Sequence, residues 1–204
     1  MTTSGPLDDR GSTLPIYIWL TTILLFAALA FFAFAQAAFA RNGAQSAADA
    51  AALAAAQQAR DELLLNLEDA IGAGDDWLVW LDLPEGGLPT QGPTAAAQEL
   101  AAENDSTLQG GVVPTEVGGH LGFQVSVETN YTVGDSVIPG TEAMTAQADA
   151  VAVIKPRCEF DVDADPAKPV ELVCEDEPVN IDPEDFNPAD LPDASVMFSV
   201  RLAE

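Results

Sequence analysis

From Leu14 to Ala40 the chain reads LPIYIWLTTILLFAALAFFAFAQAAFA, 27 consecutive residues without a charge. At 1.5 Å per residue this run would span roughly 40 Å as a helix, more than the ~30 Å hydrocarbon core of a bilayer. It predicts a membrane-spanning helix that is tilted or protrudes at one end. The apolar region of a cleaved signal peptide is shorter, about 7–15 residues. Pro15 falls in the first turn, where a missing N–H costs little, and Thr13 or Ser12 can cap that end. Thr21, Thr22 and Gln36 are the clearly polar side chains in the run. The threonine hydroxyls can bond back to the helix, and Gln36 reads as solvated at the interface.

Beyond Arg41 the pattern becomes alanine on alanine. Ten of the sixteen residues from Ala44 to Ala59 are alanine, the best helix former, so the helix is expected to continue to about Ile71. Gly72-Ala73-Gly74 supplies a stop. Leu63, Leu64, Leu67, Ala70 and Ile71 mark a buried face at helical spacing. The alanines admit two readings. One is a low-complexity helix without a partner. The other is a packing face, Ala44, Ala47, Ala48, Ala51 and Ala55, whose small side chains let another helix approach closely.

The remainder, 75–204, has the length for one small core. Trp77, Trp80 and Leu81 fall on one short helical face and are read as core. Gly86–Pro93 reads as a loop, followed by a short helix Thr94–Glu103 capped by Thr94. Phe123, Val125, Val127, Thr129, Tyr131 and Val133 alternate with polar residues, a half-buried strand that turns at Gly134-Asp135. Glu142–Ile154 is a second strand region whose alternation slips at Val151 and Val153, from a bulge or from burial on both faces. Val170–Cys174 and Val196–Leu202 complete the strands. The fold class is therefore α+β: a long N-terminal helix and a small antiparallel sheet packed on its outward end. The expected organisation is a tail 1–13, a membrane helix 14–40, an alanine-rich extension 41–74 and an outer domain 75–204 with an acidic loop at 158–193.

Charge sharpens this picture. The chain has 33 acidic and 7 basic residues, a formal net charge of −26, which excludes a nucleic-acid partner. From Asp75 onward there are 26 acidic and 4 basic residues, a net of −22. Arginines flank both ends of the apolar run, so their count does not orient it. A 13-residue tail is too small to fold, whereas an acidic domain with the pair Cys158 and Cys174 suits an oxidising exterior. The N-terminus is thus expected in the cytoplasm and the C-terminal domain outside. The two cysteines lie 16 residues apart around a proline-containing acidic loop and are expected to form a disulfide.

Candidate chemistry is sparse. Asp161-Val162-Asp163-Ala164-Asp165 opens like a calcium loop, but the sixth and twelfth positions are Pro166 and Leu172 in place of Gly and Glu. A solvated acidic loop is the simpler reading, and with 13 acidic residues, one basic residue and six prolines, 158–193 should hold little core of its own. One histidine, His120 in a glycine-rich stretch, supports neither a catalytic triad nor a zinc site. Leu88-Pro89-Thr90-Gln91-Gly92 has its threonine misplaced for a sortase signal, and Asn130-Tyr131-Thr132 is a formal glycosylation sequon within a strand. No cofactor is expected.

Two segments carry a resemblance. Asp9-Arg10-Gly11-Ser12 stands just before the uncharged helix, and Arg41-Asn42-Gly43-Ala44-Gln45-Ser46-Ala47-Ala48-Asp49-Ala50-Ala51-Ala52-Leu53-Ala54-Ala55-Ala56 follows it. Together they resemble the N-terminal region of TadG-like and TadE-like proteins of the Tad (Flp) pilus system, in the actinobacterial style. The resemblance implies a single-pass envelope protein, without catalytic activity, that assists assembly or anchoring of a thin pilus beside other pilus-assembly membrane proteins or pilins. Gly11-Ser12 is the candidate processing site, yet the fifth residue after Gly11 is Ile16, where a cleaved prepilin carries Glu. The alternative is a membrane-tethered binding protein or adhesin whose acidic domain holds a ligand or calcium.

Overall fold

The computed structural model describes residues 13–74, 76–83, 88–134, 140, 143–175 and 177–203. Helix α1, Thr13–Ala73, is a single element of 61 residues, roughly 90 Å long at 1.5 Å per residue. Its apolar first part and alanine-rich second part join without a break. In the apolar part the Thr21 hydroxyl donates to the Tyr17 carbonyl at 2.8 Å and the Thr22 hydroxyl to Ile18 at 2.7 Å, so both polar groups are satisfied within the helix. The helix ends where Gly74 turns into the left-handed region (φ 74°) and its N–H donates to the Ile71 carbonyl.

Along the second part, burial recurs every three or four residues. Ala44, Ala47, Ala48, Ala51, Ala52, Ala55, Ala56, Ala59, Leu63 and Leu67 are completely covered. What covers them is an antiparallel sheet and a second helix, α2, Gln91–Glu103. The sheet contains β1 (Ser106–Leu108), β2 (Val113–Val117), β3 (His120–Thr129), β4 (Gln147–Pro156) and, numbered by its place in the chain, β8 (Phe198–Leu202). Their order is β1–β3–β4–β8, with β2 pairing the start of β3 and β1 pairing its end. Phe123, Val125, Val127 and Thr129 of β3 are buried, as the alternation predicted, and so are Ala150, Ala152 and Ile154 of β4. Alanine on the β4 face and alanine on α1 let the sheet backbone lie close to the helix.

Several boundaries differ from expectation. Helix α2 starts at Gln91, three residues before Thr94, and the Thr94 N–H donates to the Thr90 carbonyl. Gly92 and Pro93 read as loop residues, yet proline in a first helical turn gives up no bond. Thr94 is inside the helix, and its hydroxyl accepts from the Val112 N–H. His120 opens β3 directly after the turn Gly118-Gly119, whose φ values of 61° and 78° are those a tight hairpin demands. Strand β3 ends at Thr129, so Tyr131 and Val133 lie beyond it. Strand β4 pairs without a skipped residue from Gln147 to Pro156, and Val153, opposite in direction to Ala152, is also buried. Burial on both faces, with no bulge, therefore accounts for the slipped alternation; Glu142 lies outside the described residues. Strand β8 begins at Phe198, because Ala194–Met197 forms one helical turn, α3.

The acidic segment is more structured than its composition suggests. It holds a second antiparallel sheet of β5 (Cys158–Glu159), β6 (Val170–Cys174) and β7 (Glu177–Ile181). Val170, Leu172, Cys174 and Ile181 are buried and continue the main core. Their acidic neighbours alternate outward, so a charged strand still presents one apolar face. Trp77 is fully buried beyond the end of α1, and its indole N–H donates to the Pro166 carbonyl at 2.9 Å, tying this segment to the helix.

Candidate assembly interface

Among the described residues, one helix is long and apolar enough to cross a membrane, and it is α1. Its first part is bare: Phe26, Phe31, Phe34 and Phe39 are each about three-quarters exposed. A set of large apolar side chains left open on every side needs an apolar solvent or apolar partners. The folded domain begins to cover the helix at Ala33 and Ala40. The described residues beside it there are Tyr131–Val133 and Met144–Gln147. Tyr131, Thr132 and Val133 line a cleft with Ala35, Gln36 and Phe39. Val133 is held in place by its N–H, which donates to the Met144 carbonyl at 2.9 Å. Gln36 is only half-buried, but its carbonyl oxygen is covered and has no partner among the described residues, unlike the solvated side chain expected.

Helix α2 runs back along α1 towards this boundary. Its start lies at Gln58 and Glu62, which crowd Gly92, and its end lines a pocket with Gly43 and Ser46. Ala97 and Ala101, four residues apart, are buried with Pro93, so alanine meets alanine between the helices. Ala44, Ala47, Ala48, Ala51 and Ala55 thus form a packing face, taken by this chain's own sheet and α2. A helix that approaches this face closely is α2 of the same chain. Small side chains specify a close approach, and they do not specify which element makes it. Sequence reasoning missed α2's Ala97 and Ala101, although Ala95-Ala96-Ala97 and Ala101-Ala102 repeat the α1 signature.

The remaining sequence candidates are scattered. Gly11 and Ser12 lie outside the described residues. Cys158 and Cys174 face each other in the β5–β6 ladder, with a disulfide between them and Cα atoms 4.1 Å apart. Asp161 and Asp165 are used locally. Asp161 accepts from the Asp163 N–H, and Asp165 accepts from the Ala167 N–H and pairs with Lys168 at 2.6 Å. The Lys168 hydrogen bond, helped by Ala167, holds the Asp165 carboxyl below its ordinary value and raises Lys168. Among the described residues no group of three or more His, Cys, Asp or Glu is placed to hold a metal ion. Glu128, on the exposed face of β3, accepts from the Thr145 hydroxyl and the Gln147 amide at 2.8 Å each, and both bonds lower its pKa.

The chemistry such an arrangement offers is that of a membrane-borne interface: a bare apolar rod, a domain clasping its upper half, and a strongly acidic exterior. No curated protein and no solved structure matches the chain. The rod and the first half of the clasped region do match. Residues 11–58 fit the family described as "Putative Flp pilus-assembly TadE/G-like", and it is to that family that the N-terminal part of this chain is similar.

Proposed function

We propose that this chain is a non-enzymatic, single-pass membrane component that assists assembly or anchoring of a Tad/Flp-type pilus. Its N-terminus is in the cytoplasm and its acidic domain is outside. The observation that carries this reading is the overlap of the TadE/G-like match, 11–58, with the bare apolar rod and its junction with the folded domain. Because the alanine face is filled from within, contact with other pilus-assembly membrane proteins or pilins falls to the apolar half of α1 and to the outer surface of the domain.

The same features argue against a repeating filament subunit. A carboxylate buried in a bundle of apolar helices must be paired, which makes it a register device. Leu14–Ala40 contains none. The net charge of −22 from Asp75 onward would also make a dense homopolymer self-repulsive without cation screening. The test has two parts. The tagged full-length protein is purified from mild detergent and its partners identified, and sheared filaments are quantified for this chain against the most abundant pilin. Pilus-assembly proteins in the first and a trace amount in the second are expected. Recovery as the main filament protein would overturn the assembly role. An active cytoplasmic reporter fused after Glu204, with an inactive export-dependent one, would reverse the orientation.

A further inference from the structure

We propose that the cleft between α1 and the Val133 and Met144–Gln147 segments seats a phospholipid of the leaflet next to the folded domain. The proposal rests on α1 spanning a membrane and is independent of the pilus role. The cleft has a volume of about 430 Å³ and joins two kinds of wall. Ala33, Phe34, Ala37 and Ala40 from the helix, with Val133 and Met144 from the domain, make it apolar. Arg41 stands at its outer end.

Three observations choose the occupant. The first is length. A hydrocarbon core accommodates about 20 helical residues, and counted from Leu14 such a stretch ends at Ala33. Ala33 is where the domain first covers the helix, at 8% exposure. The apolar turns from Ala33 to Ala40 therefore lie beside the lipid carbonyl and headgroup layer, where a chain enters from the membrane side without crossing water. The second is exposure. Met144, on the domain, is 55% exposed and Phe34, on the helix, is 74% exposed, so apolar surface from two elements that line the cleft is left open. The third is charge. Thr145 and Gln147 are already engaged by Glu128, which leaves Arg41 as the cationic group of the lining. A guanidinium on an apolar stem, at the end of a membrane span, reaches a lipid phosphate in the ordinary way of interfacial arginines.

The test uses the full-length protein in nanodiscs of phosphatidylethanolamine and phosphatidylglycerol, with a trace of phosphatidylglycerol carrying a diazirine on its acyl chain. After irradiation, lipid adducts are mapped by mass spectrometry. Adducts on Val133 or Met144, in addition to those on Phe26 and Phe31, are expected. Ala37→Trp should fill the cleft and remove the domain adducts while leaving those on Phe26 and Phe31. Arg41→Gln should reduce the domain adducts about tenfold, the scale of one lost charge-assisted contact. Adducts confined to Phe26 and Phe31 in the unmodified protein would overturn the cleft proposal while keeping the span. Absence of adducts on all four residues would overturn the span itself. Domain adducts that persist unchanged in Ala37→Trp would overturn the cleft as their location.

Discussion

Gly43 on α1 and Tyr131 beyond β3 occupy one space: a methyl group on Gly43 would collide with the Tyr131 hydroxyl and lie 3.2 Å from its ring carbon Cζ. The glycine is what lets the ring rest on the helix just beyond Ala40, inside the covered stretch. Gly43→Ala should therefore cost about 1 kcal/mol, because the tyrosine must leave or the helix must move. In a Tyr131→Ala background the same change should stabilise, since alanine exceeds glycine in a helix by up to about 1 kcal/mol. Thermal unfolding of the four proteins in mild detergent reads the reversal of sign. An equal effect of Gly43→Ala in both backgrounds would show that the contact is idle.

Gly122 on β3 is a harder constraint. A Cβ there would run into the Ala152 carbonyl and lie 2.7 Å from the Val153 Cα. Those are backbone atoms of the central ladder, which cannot swing aside as a side chain can. Gly122→Ala should cost about 3 kcal/mol, the upper end of ordinary overpacking. Amide exchange along Val125–Thr129 should rise with it, and unchanged protection there would contradict the tight approach.

Reduction of Cys158–Cys174 should loosen the smaller sheet before the larger one. The bond closes a loop with a sequence separation of 16. Closing a loop of that size is worth about 3 kcal/mol in the chain-entropy model. Cys174→Ala should lower stability by a similar amount and raise exchange in β6 and β7 ahead of β3 and β4. Two thiols that react with maleimide in the unreduced, denatured protein would exclude the bond.

Acid should act on Glu128 in a defined direction. Its carboxylate is stabilised first by the Thr145 hydroxyl and then by the Gln147 amide, so its folded pKa lies below its unfolded one. Such a group contributes its stabilisation above the unfolded pKa and loses it as pH falls through the folded value. Carboxyl NMR should find Glu128 protonating below the ordinary glutamate range, and Thr145→Val should move the midpoint up. A midpoint that does not move would mean the hydroxyl bond is absent in solution.

Strand β3 was legible because Phe123, Val125, Val127 and Thr129 repeat with period two on a face that has one side to bury. Helix α1 was legible because an uncharged run and an alanine run both favour helix, and its glycine stop fell within two residues of expectation. The beginning of α2 was hidden by Gly92 and Pro93, whose effect depends on position: they break a helix interior and are tolerated in a first turn. The smaller sheet was hidden by charge, since Glu171 and Glu177 advertise solvent while Leu172 and Ile181 between and beyond them are completely buried. The packing face was visible in Ala44, Ala47, Ala48, Ala51 and Ala55, but its occupant was not. Nothing in a row of methyl groups distinguishes a sheet of the same chain from a helix of another.

The helix that enters the membrane is the helix on which the domain is folded, so the molecule is mechanically a rod with a handle. The sheet and α2 are fixed to Ala44–Leu67, and the described chain has no joint between that region and the bare turns below it. Any tilt of the span is then transmitted whole. A membrane helix commonly leans by about 20°, which would carry the far end of a rod roughly 90 Å long sideways by roughly 30 Å. Small adjustments of partners within the bilayer would thus become large displacements of the acidic surface, with no rearrangement inside the domain.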